Sequence, residues 1–130
     1  MAITSRIKAL GLPDGQFVVI GSGVMDALGL REANDIDLVV SPELFARLKA
    51  DSTWKAKQEH GETVLTHDDV EVWLGWGTAD GQPNFDELYD GGITIEDIRF
   101  ANPEFVRDWK RAANRPKDIE DIRLLEDYLA

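Results

Sequence analysis

No cysteine occurs among the 130 residues, which excludes a disulfide framework and any thiolate metal site and suits a chain kept in the cytoplasm. No run approaches the roughly 20 apolar residues of a membrane span, and the first residues lack the apolar segment of a secretion signal. Neither insertion into a membrane nor export is expected. Cations are scarce beside anions: 14 Lys and Arg stand against 25 Asp and Glu, a formal net charge of −11. A surface of that sign repels phosphate backbones, whereas nucleic-acid binding relies on Lys and Arg, so long RNA or DNA is not an expected partner. Arg107, Lys110, Arg111, Arg115 and Lys117 nevertheless cluster in sequence. The two histidines, His60 and His67, have no spacing that suggests metal ligation and are expected on the surface.

What is present suits one domain, residues 1–130, with 43% hydrophobic residues for a core. The organising stretch is Gly21 to Val40. The apolar run Phe17 to Ile20 reads as a buried strand, Gly21-Ser22-Gly23 as a sharp turn, Val24 to Leu30 as about two helical turns, and Leu38-Val39-Val40 as a second buried strand. Side chains two apart on a strand share a face, so Asp35 and Asp37 converge at the start of that strand. Two converging carboxylates need cations, and an all-oxygen donor set suits Mg²⁺, which takes one or two protein carboxylates and completes its shell with water and phosphate oxygens. Phosphate is expected beside them, on the backbone N–H groups of Ser22 and Gly23 at a helix start.

A glycine turn, twelve residues between Ser22 and Asp35, and an Asp-x-Asp strand resemble the signature of the nucleotidyltransferase superfamily. The resemblance implies an α/β (α+β) fold, a mixed, twisted sheet flanked by helices with further helices at the C-terminus. It also implies a third carboxylate on the neighbouring strand, for which Glu71 in Val70-Glu71-Val72-Trp73-Leu74 is the candidate, with Asp69 in reserve on the same face. Alternation places Val70, Val72 and Leu74 on the face opposite Glu71 and Trp73.

Elsewhere, Thr4 to Leu10 reads as a short amphipathic helix, and Ser41-Pro42-Glu43 as a helix start running to about Ala50. Trp54 to Glu59, Glu62 to His67 and Asp69 to Trp76 read as strands. Gly75 to Gly92 holds five of the eleven glycines and reads as an irregular loop, placed to act as a lid or acceptor loop, in which Asp86, Glu87 and Asp90 offer charge to a cationic acceptor. Trp73 and Trp76 are candidates to stack a base. Asn102-Pro103-Glu104 opens a helix with Phe105 and Trp109 on its core face. Beyond Asn114 and Pro116 another helix carries Ile119, Ile122, Leu125 and Leu129 at helical spacing, with Lys117 and Asp121 as an i, i+4 ion pair.

Residues 109 to 125, with Lys110, Arg111, Lys117-Asp118 and Asp121, are similar to the C-terminal signature of small bacterial nucleotidyltransferases of the AbiEii toxin-like group. That resemblance implies transfer of a nucleoside monophosphate from a nucleoside triphosphate to an acceptor, with ATP among the candidate donors. Asp35, Asp37 and Glu71 would hold two Mg²⁺ ions, or Mn²⁺. Gly21, Ser22, Gly23, Lys110 and Asp118 would bind the nucleotide. The alternative is a catalytically silent nucleotide-binding module or toxin-antitoxin partner with the same frame. The acceptor is not written in the sequence.

Overall fold

The computed structural model describes residues 2–59, 61–76 and 83–130. In chain order the elements are α1 (Ile3–Lys8), β1 (Phe17–Ile20), α2 (Ser22–Ala27), β2 (Ile36–Val40), α3 (Pro42–Lys49), β3 (Lys55–Glu59), β4 (Glu62–His67), β5 (Val70–Trp73), α4 (Phe85–Asp90), β6 (Ile93–Ile95), β7 (Ile98–Phe100), α5 (Pro103–Ala113) and α6 (Ile119–Leu129), with a 3-10 turn at Pro116–Asp118. The strands form one seven-stranded mixed sheet in the order β3-β4-β5-β2-β1-β7-β6.

The three central strands are the apolar runs of the sequence. β1 is buried at every position and pairs antiparallel with β2, Ile20 opposite Asp37. β2 pairs parallel with β5, Asp37 opposite Glu71. Ser41 caps α3, its side chain accepting a hydrogen bond from Leu44 N at 3.2 Å, with Pro42 in the first turn. The exposed edge strand β3 carries Lys55 and Lys57, charges that discourage pairing with another chain.

Several expectations change. Within the segment 75–92 the described part is not an irregular loop: Asn84 caps the helix α4, and Trp76 N donates to Pro83 O. The whole segment 75–92 is expected from the sequence to act as a lid or acceptor loop; its residues 77–82 lie outside the described residues, as does His60. β6 and β7 had no counterpart in the sequence reading, yet β7 runs parallel beside β1 with Phe100 fully buried. β5 ends at Trp73, so Leu74 turns out to 44% exposure and leaves the face of Val70 and Val72. On α5 the fully buried apolar residue is Val106; Phe105 is half-buried and packs against the core as expected, and Trp109 is half-buried. Ile119 is 68% exposed.

The β6–β7 hairpin turns on Glu96 and Asp97, at φ 48° and 68°, between the paired residues Ile95 and Ile98. Such a two-residue turn demands left-handed backbone at both centres and favours Gly at the second. Glu96 is committed to the Thr4 hydroxyl; Asp97 has no such side-chain partner among the described residues. Asp97→Gly is therefore expected to stabilise the protein by about 0.5–1 kcal/mol, read as a rise in the thermal midpoint, and a fall would mean that the Asp97 side chain supports the turn.

Candidate active site

The site grows from the end of β1. Because Ile20 lies opposite Asp37, the next residue, Gly21, must turn directly beside that carboxylate. It does so at φ 65° and ψ −141°, a conformation that side chains other than glycine's avoid. A Cβ there would stand 3.3 Å from Asp37 Oδ2. Gly23 serves packing: a Cβ on it would come within 2.7 Å of Val19 Cγ1, so α2 lies flush on β1. The return to β2 is closed by Asp26, whose carboxylate accepts from Ala33 N at 2.7 Å. Asp35 thus falls one residue before β2, with its carbonyl 3.5 Å from Ser22 Oγ, a distance at the limit of a hydrogen bond.

Asp37 and Glu71 face each other across parallel strands. Burial first, and then repulsion from Glu71 and more weakly from Asp35, push the Asp37 carboxyl up to about 7. The nearby indole N–H of Trp73 restrains this rise without completing a bond: Asp37 Oδ1 and Trp73 Nε1 are both buried and have no hydrogen-bond partner among the described residues. Glu71 Oε2 takes the Lys57 ammonium at 2.6 Å, which also reaches Glu59 Oε2 at 3.0 Å. Hydrogen bonds to Glu71 and then Glu59 hold that ammonium above its ordinary value. A positive charge has been recruited to the carboxylate cluster from the edge strand.

The opposite wall comes from α5, the 3-10 turn and α6. Lys110 Nζ lies 3.0 Å from Asp118 Oδ1 and 3.2 Å from Asp121 Oδ2; the three residues are 5%, 2% and 6% exposed. Arg31 grips Asp121 with two bonds, at 2.6 and 2.8 Å, and Arg115 Nε reaches Asp118 Oδ2 at 2.6 Å. Burial alone would raise both aspartates, but Arg115 and Lys110 at Asp118, and Arg31 and Lys110 at Asp121, leave them below their ordinary values. Asp121 is thus spent on Arg31 and Lys110; the expected pair between Lys117 and Asp121 is not formed.

Between the walls lies a cavity of about 410 Å³, lined by Gly21, Ser22, Asp35, Asp37 and Glu71 on the sheet side and by Lys110, Arg115, Lys117 and Asp118 on the helical side. That size is within the range of small-molecule sites. Of the residues expected to hold metal or nucleotide, Gly21, Ser22, Asp35, Asp37, Glu71, Lys110 and Asp118 line one cavity, and Gly23 packs beneath the turn. Asp69 stands apart, paired with Arg6, and His67 packs against Trp54; neither lines the cavity, nor do Asp86, Glu87 and Asp90 of α4. Arg31 escaped the sequence reading, as did the joining of Trp109 to Trp73 and Trp76. Trp73 meets Trp76 edge to face at 4.9 Å, and Trp76 stacks on Trp109 at 5.2 Å. All three line the cavity, an aromatic wall assembled from two distant segments.

Whether a divalent cation fits can be judged from the carboxylates themselves. The donors are all oxygen, Asp37 presents a buried oxygen without a partner among the described residues, and its neighbours repel it in a way a cation would relieve. Among the described residues no group of three or more Asp, Glu or His side chains is placed to hold a metal ion by itself, so Asp35, Asp37 and Glu71 do not form the expected ready-made three-carboxylate site. Mg²⁺ keeps waters and phosphate oxygens as ligands, and the carboxylates here would supply only part of its shell. The donor set fits a cation that arrives with a phosphate-bearing substrate.

No protein-family model matches the chain, and no curated protein matches it. Among solved structures it is similar to ANT(2")-Ia, an aminoglycoside nucleotidyltransferase crystallised in complex with adenylyl-2"-tobramycin, with a TM-score of 0.60 and 21% identity over 99% of this chain and 86% of that one. The architecture built up from Gly21, β2 and β5 is a nucleotidyltransferase-like fold.

Proposed function

We propose that the protein transfers a nucleoside monophosphate from a nucleoside triphosphate to an acceptor, releasing pyrophosphate. The observation that carries this reading is the cavity in which the Gly21-Ser22 turn, the carboxylates of Asp35, Asp37 and Glu71, and a wall of cations face one another. The fold likeness supports it, since ANT(2")-Ia holds an adenylylated acceptor.

In this reading Asp35, Asp37 and Glu71 would hold Mg²⁺. Bound there, the cation would neutralise charge on the transferring phosphate and acidify the attacking hydroxyl. The Gly21-Ser22 turn seats the phosphates, and its close fit to Asp37 sets the reacting phosphorus beside the carboxylates. The acceptor oxygen forms its bond to the α-phosphorus as the α–β bridging bond breaks, and the acceptor's proton passes to Glu71, a carboxylate at the cavity wall. The cations of the helical side, with Lys110 acting from beneath the surface, stabilise the departing pyrophosphate. The aromatic wall is placed to carry the base or the acceptor. Positioning and charge neutralisation supply most of the catalysis, as in phosphoryl transfers generally.

The test is incubation with each α-labelled nucleoside triphosphate, Mg²⁺ and a fractionated lysate. Mg²⁺-dependent pyrophosphate release with label moving to an acceptor is expected, and Glu71→Gln should lower the rate by at least about 100-fold. Label transfer at the wild-type rate in Glu71→Gln would remove Glu71 from the reaction. No release from any nucleotide with any fraction would leave the silent module as the function.

A further inference from the structure

The cations of the helical wall are not equivalent. Lys110 spends its ammonium on two buried aspartates. Arg31 is equally committed: Nε and Nη2 hold Asp121 and Nη1 donates to Glu32 O at 2.8 Å. Both are structural ties. Arg115 differs. Its Nε is pinned to Asp118 at 2.6 Å, and its guanidinium lies over the Trp109 ring, Cζ 4.8 Å from the centroid. Asp118 is itself immobilised by Lys110. Yet the Arg115 side chain is 38% exposed and lines the cavity, and its two Nη nitrogens have no acceptor among the described residues.

A guanidinium fixed at Nε and on one face can only offer its Nη edge. That edge is a rigid fork of N–H donors, matched to two oxygens of a phosphate in a way that an ammonium is not. Because its orientation is fixed in advance, little side-chain entropy remains to be lost on binding. The geometry points to Arg115 as the residue that grips the pyrophosphate portion of the bound triphosphate, with Asp118 as its positioning residue and Trp109 as its platform. The assignment rests on the nucleotidyl-transfer reading. It moves the phosphate contact at this wall from Lys110, the residue the sequence resemblance selects, to Arg115. Lys110 then acts one step back, by fixing Asp118.

Calorimetric titration of the whole protein with a nucleoside triphosphate, the matching monophosphate and inorganic pyrophosphate, all with Mg²⁺ and without acceptor, tests this directly. Arg115→Ala should weaken triphosphate and pyrophosphate binding by about tenfold or more, the scale of a charge-assisted pair, and leave the monophosphate within about twofold. Arg115→Lys, which keeps the charge and its reach toward Asp118 but loses the fork, should recover only part of that affinity. Should Arg115→Ala fail to fold, as judged by circular dichroism, the ratio of triphosphate to monophosphate affinity in Arg115→Lys decides alone. Wild-type triphosphate affinity in the folded variants, or an equal loss for triphosphate and monophosphate, overturns the assignment and leaves Arg115 a structural ion-pair partner. If the wild-type protein binds none of the three compounds, the transfer reading itself has failed, whatever the variants do.

Discussion

Asp37→Asn is expected to abolish nucleotidyl transfer and at the same time to raise the melting temperature of the metal-free protein. The carboxyl of Asp37 is lifted from 3.8 to about 7 by burial and by Glu71 and Asp35. At about 1.4 kcal/mol per tenfold change in proton affinity, this amounts to about 4 kcal/mol of lost hydration and repulsion. Asn removes the charge and keeps the shape. It remains a buried polar group with imperfect partners, so about 2 kcal/mol of stabilisation is expected, or roughly 8 °C for a chain of this size. Activity should fall by at least about 1000-fold, because the residue at the centre of the carboxylate cluster can no longer support a cation.

The sign of the pH dependence follows from the same shift. Between about pH 4 and pH 7 the folded state keeps a proton on Asp37 that the unfolded chain has released. Asp37 therefore makes the metal-free protein less stable as pH rises through that window, and contributes a constant penalty above it. Melts in EDTA at pH 5 and pH 8 should differ less in Asp37→Asn than in the wild type. Mg²⁺ at pH 8 should stabilise the wild type and not the variant, by mass action on the folded state. A variant that melts lower than the wild type at pH 8 in EDTA would mean that the ionised carboxylate has a partner that offsets its burial.

Lys110→Ala is expected to have the largest effect on stability. The ammonium is 5% exposed and lies between Asp118 and Asp121, which join the 3-10 turn and α6 to α5. Removing one partner of a buried ion cluster leaves charge without compensation, at a cost of about 3–5 kcal/mol, a large part of the 5–15 kcal/mol typical of a domain. A fall of more than about 10 °C is expected. Adding Asp118→Asn should restore part of it by removing one stranded charge. The two aspartates sit below their ordinary values because Arg31, Arg115 and Lys110 outweigh their burial. Their contribution is therefore present above the carboxylate range and is lost in acid, a direction opposite to that of Asp37. An unchanged melting point in Lys110→Ala would show that Arg31 and Arg115 hold the aspartates without it.

The local parts of the site were legible because each is a short-range consequence of residue type. Phe17 to Ile20 is apolar at every position and became the buried strand β1; Ser41-Pro42 started α3 where the cap chemistry requires it. Glu62 to His67 formed β4 as expected. α4 was illegible because glycines lie on both sides of it, and β6 and β7 because three-residue strands such as Ile93–Ile95 are too short to display a period. β7 is a strand because it lies beside β1, and Val106 is the most deeply buried apolar residue of α5 in a helix that packs on both α2 and α6.

What the sequence determined by itself is the order of the chemistry: a glycine turn, then Asp35 just before and Asp37 within the second strand, then Glu71 on a later strand. What only the tertiary structure decided is which charges remain available. The sequence selects Lys110 and Asp118 by resemblance and reads Asp121 as the partner of Lys117, and it gives Arg31 no role and Arg115 none beyond a basic cluster. Folding seals Lys110 and Arg31 onto those aspartates and leaves Arg115, which lines the cavity, with an Nη edge that has no acceptor among the described residues. The reason is that a buried charge must find its counter-charge across elements far apart in the chain, and such pairings are set by packing, not by local spacing.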